Sequence, residues 1–153
     1  YLPATLAAED GTVSGAVTVE ETGISLYQNS VCVGSHRLLA DEPPAIGGND
    51  TGPDPYDYVT AGLGACTSIT LRMYANRKKW PLDRIRVRLS HAKDYAADCE
   101  ACDPDSKVDI FERIIELDGN LDPDQRHRLL EIADKCPVHR TLESIAHVRT
   151  RLE

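Results

Sequence analysis

Asp54-Pro55-Tyr56-Asp57-Tyr58-Val59-Thr60-Ala61-Gly62-Leu63-Gly64-Ala65-Cys66-Thr67-Ser68-Ile69-Thr70-Leu71 is the stretch on which the reading turns. It predicts a helix from about Tyr56 to Lys79. Asp54 suits the N-cap, and Pro55 suits the first helical position, where its missing N–H costs nothing. Arg77, Lys78 and Lys79 would fall in the last turn, where positive charge complements the helix dipole. Pro81 would stop the helix. Its middle, Ala61 to Ser68, holds only small or apolar residues. Two glycines inside a helix cost roughly 1 kcal/mol each relative to Ala. Close approach of another backbone would explain them, so the segment reads as a buried central helix packed on its symmetry mate.

Upstream the pattern is β. Thr12 to Val19, Ile24 to Gln28 and Val31 to Leu39 are three short strand candidates, and a β-meander is expected. Asp41 to Pro55 reads as a loop, because four prolines and three glycines fall within it. Loops of that length tend to carry function.

Downstream, Ile85, Val87 and Leu89 alternate with Arg84, Arg86 and Arg88, which predicts a half-buried strand with a basic outer face. Phe111, Arg113, Ile115 and Leu117 give its partner. An acidic excursion, Asp94 to Lys107, lies between them. Asp122-Pro123 opens a further helix with Leu129, Leu130, Ile132 and Ala133 inward. Pro137 marks a break or the start of a short helix, and Ile145 to Leu152 alternates as a final strand. The order βββ-α-ββ-α-β predicts one α+β domain over residues 1–153 with antiparallel sheet.

The formal net charge of -8 argues against a nucleic-acid partner, since phosphate binding needs a basic surface. No run of eighteen apolar residues is present, so no membrane-spanning helix is expected. The start, Tyr1-Leu2-Pro3-Ala4, has no basic region followed by an apolar one, and no signal peptide is read there. The absence of an initiating Met leaves room for residues upstream. Five cysteines in a chain of this size point to a reducing compartment, and cytoplasm is expected.

The cysteines are the residues that could carry chemistry. Cys66 sits in mid-helix, either as a small buried hydrophobe or as a reactive thiol. If Pro137 opens a helix, Cys136 is its N-cap, where the dipole favours thiolate. An ordinary thiol of pKa about 8.5 is only about 3% ionised at neutral pH. Lowering it by two units takes about 2.7 kcal/mol, whereas a helix terminus supplies roughly 0.3–1 kcal/mol. A reactive Cys66 therefore needs a cation, an Arg brought from another segment. Cys99 and Cys102 form a lone CxxC among acidic residues. It reads as a plain loop, a zinc ligand pair or a disulfide, and zinc there would need two further ligands. The five histidines form no metal-binding motif, although His139 lies close to Cys136.

Two segments together carry a resemblance. Asp54 to Leu71 is similar to the Pro-led, Ala/Gly-rich helix ending in a peroxidatic Cys that marks the OsmC/Ohr family. Cys136-Pro137-Val138-His139-Arg140-Thr141-Leu142 resembles that family's second-cysteine motif. The resemblance spans about Thr12 to the end and points to a divergent OsmC-like branch. It implies an α+β fold with antiparallel sheets around two central helices in an intertwined homodimer. It implies a thiol-dependent peroxidase active in oxidative or osmotic stress. Cys66 would be oxidised by an organic hydroperoxide, and Cys136 would close a disulfide that a lipoyl-type dithiol reopens. No cofactor is required by that chemistry. Where the family carries a Glu after the helix-opening Pro, this chain has Tyr56 followed by Asp57, the candidate polar pair at the helix start. The family draws its activating Arg from an N-terminal loop, but the first Arg here is Arg37, so Arg37, Arg72 and Arg140 are the candidates, and Arg37 and Arg140 are preferred because Arg72, six residues past Cys66, lies too far round the helix to face it well. Two other readings stay open: a non-catalytic small-ligand binding protein of the same fold, and a metal-dependent role through Cys99 and Cys102.

Overall fold

A computed structural model describes residues 8–9, 12–13, 16–95 and 107–153. The described residues fall into two compact units that divide between Tyr58 and Val59.

In the first unit, β1 (Ala8–Glu9) pairs antiparallel with β2 (Thr12–Val13). A three-stranded antiparallel sheet follows in the order β3 (Val17–Glu21), β4 (Asn29–Val33), β5 (His36–Ala40). The meander is present, but with shifted strands. Ile24 to Gln28, expected as a strand, is an irregular connection. Val31 to Leu39, expected as one strand, is two strands joined at Gly34-Ser35. Gly34 takes φ +56, which lets a two-residue hairpin loop follow the strand twist. The long loop closes around Asp41, which is 2% exposed. Its carboxylate accepts from the N–H groups of Glu42 (2.8 Å), Thr51 (3.1 Å) and Asn49 (3.4 Å) and from the Thr51 hydroxyl (2.6 Å). A loop without ladder bonds must satisfy its backbone some other way, and this carboxylate does so.

Helix α1 (Pro55–Lys78) begins where the sequence predicts. Asp54 Oδ1 accepts from the Asp57 N–H at 2.8 Å, and Asp57 Oδ2 accepts from the Asp54 N–H at 3.0 Å, a reciprocal cap. The other end closes one residue early, ahead of Pro81. Lys79 adopts φ +56, with its N–H on Asn76 O and the Trp80 N–H on Ala75 O. That is the left-handed stop usually taken by Gly.

In the second unit, β6 (Leu82–Tyr95) and β7 (Lys107–Gly119) form a long antiparallel hairpin registered from Leu82↔Gly119 to Tyr95↔Lys107. Arg84, Arg86 and Arg88 lie on the exposed face and pair with Asp118 and Glu116. Helix α2 (Pro123–Ala133) starts with a capping box between Asp122 and Gln125. Helix α3 (Pro137–Leu142) follows after a tight turn. The main core joins Leu71, Tyr74 and Ala75 of α1 to Leu129, Ile132 and Ala133 of α2, over Leu82 and Leu121. Leu130, expected inward, is 58% exposed, because the α2 stripe is only wide enough for its three neighbours. Ile145 to Leu152, expected as a strand, is irregular and exposed in the single chain.

Helix α1 is less enclosed than expected. It buries one stripe, including Leu63, Gly64, Cys66, Thr67 and Leu71, while Ala61, Gly62 and Ala65 are exposed in the single chain. The two glycines differ. A Cβ on Gly64 would sit 2.6 Å from Leu89 Cδ1, so a side chain of β6, not a backbone, makes the close approach. A Cβ on Gly62 would meet nothing within 4 Å.

Candidate active site

Cys66 and Cys136 meet in a second buried cluster. Both are under a tenth exposed, and Leu63 completes the cluster with Leu89, Phe111 and Val138 packed on it. The two thiols act on each other electrostatically, and both are free. Cys66 comes from the inward stripe of α1. Cys136 is the N-cap of α3, since Pro137 supplies the first helical residue. Its sulfur accepts from the His139 N–H at 3.5 Å.

Burial pushes the Cys66 thiol above the usual cysteine range, and the neighbouring Cys136 thiol adds to the rise, while the Val138 amide and the Thr70 hydroxyl pull the other way by less. No cation stands among the groups that act most on this sulfur.

The guanidinium that reaches both cysteine-bearing segments is Arg113, on β7. Its Nη1 donates to Thr67 Oγ1 at 3.0 Å and to Ala133 O at 3.3 Å. Its Nη2 donates to Asp134 Oδ1 at 3.0 Å and to His139 Nδ1 at 3.3 Å. The side chain is 12% exposed. Arg113 was readable as a strand residue but not as a site residue. The signal lay in the alternation itself: Phe111, Arg113, Ile115 and Leu117 share one face of the strand, and a charge in an apolar row needs buried partners.

The other expected residues take different places. Arg140 is exposed on α3, and Arg37 is exposed on β5 in the first unit. Arg72 donates to the carbonyls of Leu82 and Asp83 at the start of β6. Tyr56 is exposed at the start of α1, and Asp57 completes the cap there. Cys32 is half-buried on β4. Cys99 and Cys102 lie outside the described residues. Among the described residues, no three His, Cys, Asp or Glu side chains gather as a metal site, and no helix is long and apolar enough to cross a membrane.

A cleft of about 360 Å³ opens beside the cysteine cluster. Leu63, Phe111 and Ile115 give it an apolar floor, and Arg113, His139 and Glu143 supply polar groups. Arg113 Nη2 lies 3.3 Å from His139 Nδ1, and His139 Nε2 lies 3.4 Å from Glu143 Oε2.

Comparison with known proteins gives a consistent picture. No curated protein matches the chain. Among solved structures, a protein of Psychrobacter arcticus described as an osmotic-stress-induced and detoxification response protein superposes with TM-score 0.67 at 14% identity, over 88% of this chain and 91% of that one. An OsmC-like protein of Mycoplasma pneumoniae gives TM-score 0.67 at 13% identity, over 85% and 87%. The organic hydroperoxide resistance protein OsmC of Legionella pneumophila gives 0.60 at 18% identity, over 83% and 88%. These likenesses establish a shared α+β fold. The profile of the OsmC-like protein family matches residues 47–151, which include α1, the β6–β7 hairpin and both cysteines of the buried cluster, and the chain belongs to that family.

Proposed function

We propose that this chain is a two-cysteine thiol peroxidase that reduces organic hydroperoxides. The observation that carries the reading is the meeting of Cys66 and Cys136, seventy positions apart in the sequence, in one buried apolar cluster. Family membership supports it, since the family includes proteins named for organic hydroperoxide resistance.

The steps balance as follows. The Cys66 thiolate attacks one oxygen of the peroxide, the O–O bond breaks, and the alcohol leaves with a proton. Cys66 is then a sulfenic acid. The Cys136 thiolate attacks that sulfur, and hydroxide leaves and is protonated to water as the disulfide forms. A small dithiol of the lipoyl type reduces the disulfide by exchange and leaves as its own cyclic disulfide. The amides at the start of α3 favour negative charge on either sulfur, and the apolar cluster keeps water from competing for the sulfenic acid. A homodimer belongs to the reading, with the small-residue face of α1 around Gly62 as the packing surface.

Intact mass before and after one equivalent of cumene hydroperoxide tests the proposal. A loss of about two mass units, mapped to a Cys66–Cys136 link, is expected. Unchanged thiols, with no peroxide consumed in the presence of dihydrolipoate, would overturn it.

The elevated Cys66 thiol beside an apolar cleft favours one alternative, a small-ligand binding protein with the same fold. That reading expects thermal stabilisation by an apolar ligand and no oxidation of the pair.

A further inference from the structure

We propose that Arg113 is the positioning residue of the cysteine pair: its guanidinium fastens the helix bearing Cys66 to the turn bearing Cys136 and so sets how readily the two sulfurs join. The inference rests on the two-cysteine reading above and adds to it the residue that governs the disulfide.

The geometry is a four-point clasp. One end holds Thr67, the residue after Cys66, through its hydroxyl. The other end holds Ala133 and His139, which flank Cys136 by three residues on either side, together with Asp134. Both terminal nitrogens are fully used, each on two acceptors. Thr67 is fully buried and its own proton goes to Leu63 O at 2.7 Å, so its oxygen is held ready to accept from Arg113. His139 links the clasp to the sulfur directly: its ring accepts from Arg113 while its backbone N–H donates to Cys136.

Charge pairing alone does not account for this arrangement. The Asp134 side chain is 68% exposed, and an ion pair that open to water contributes little. The Thr67, Ala133 and His139 contacts instead depend on the planar fork of the guanidinium, which a lysine cannot reproduce. Holding two thiols at a fixed separation raises their effective concentration, which shifts the equilibrium toward disulfide.

The test is the thiol–disulfide equilibrium of the full chain in anaerobic mixtures of reduced and oxidised dithiothreitol. Oxidation moves two hydrogens from Cys66 and Cys136 to the dithiothreitol disulfide. The Cys66–Cys136 link is counted by alkylation and peptide mass. Arg113→Gln and Arg113→Lys should both lower the equilibrium constant for oxidation by about tenfold, the scale of one lost charge-assisted hydrogen bond, or about 30 mV, with near-UV circular dichroism unchanged. Restoration of the wild-type constant by lysine, or constants within about twofold of wild type in both variants, would overturn the clasp while the peroxidase reading stands. Wild-type protein that forms no such disulfide would overturn both. Should the Arg113 variants not fold, Thr67→Val removes one end of the clasp within the packed core. It should lower the constant in the same direction, and an unchanged constant there would overturn the proposal.

Discussion

The backbone N–H of His139 donates to the sulfur of Cys136 at 3.5 Å, and its neighbour Val138 packs on the cluster that holds Cys66. One helix start thus faces both cysteines. Pro137 begins that helix and carries no N–H of its own, and the amide of His139, two residues on, is the one that caps onto sulfur. An amide so placed meets negative charge on the Cys136 sulfur. Against this, the apolar walls of Leu63, Leu89 and Phe111 favour the neutral thiol.

For Cys66 the walls win. Burial is the largest influence on its thiol, followed by the neighbouring Cys136 thiol, and both push upward; Val138 and Thr70 pull it down by less. Alkylation of Cys66 by iodoacetamide, followed by peptide mapping, should therefore rise with pH along a curve whose midpoint lies above that of a free thiol, about 8.5. Cys136→Ala removes the second cause and should lower the midpoint. The linked stability has the matching sign: it is fully present below the unfolded thiol's pKa and declines as pH rises toward the higher folded value. A midpoint on the acid side of free cysteine would contradict this account of the site.

The two cysteines should fail differently. Cys66→Ser removes the group that meets the peroxide, so hydroperoxide consumption under a dithiol should fall by at least about a hundredfold. Cys136→Ser leaves the first step intact and removes the second, so one equivalent of peroxide should leave a sulfenic acid on Cys66 that dimedone traps. Equal loss of the first turnover in both variants would mean that the roles are assigned wrongly.

Much of this was readable from residues alone, and the limits have physical causes. Asp54, Pro55 and the basic last turn located α1 to within a residue, because capping is local chemistry. Of the two readings of Pro137, a break or a helix start, the second holds, and Cys136 is the N-cap that it implies. Arg113 escaped because its partners, Thr67 and the 133–139 turn, are distant in sequence, and only folding brings them together. Ile24 to Gln28 forms no strand because β propensity without a pairing partner does not make one, whereas Gly34-Ser35 turns the chain because Gly34 can take a positive φ.

The two helix glycines separate packing within the chain from packing between copies. Gly64→Ala pushes a methyl against Leu89 Cδ1, a side-chain end that can move aside, so the strain cancels much of the roughly 1 kcal/mol that Ala gains in a helix, and denaturant titration should show less stabilisation than that full gain. Gly62 has open space within 4 Å, so Gly62→Arg should leave the chain's own packing intact. If the α1 face is the homodimer surface, sedimentation equilibrium should nevertheless find that variant monomeric at concentrations where wild type is dimeric. A wild-type monomer, or a variant that dimerises as well as wild type, would remove this face from the interface.

The acid limb of stability should report on Asp41. Hydrogen bonding from the Thr51 hydroxyl is the largest influence on its carboxyl; with the amides of Glu42, Thr51 and Asn49 it outweighs burial and holds the group below the usual carboxylate range. A depressed folded pKa contributes stability above the unfolded value of about 3.9, and that contribution disappears as pH falls through the folded value. Asp41→Asn keeps the shape but turns two donor hydrogens toward groups that already donate, so its midpoint temperature at pH 7 should fall well below that of wild type. As the pH is lowered past the carboxyl's titration, wild type loses the same advantage and the two melting curves should converge. A gap that stays constant between pH 7 and the acid limb would mean that the loop is held by its shape and not by the ionised carboxylate.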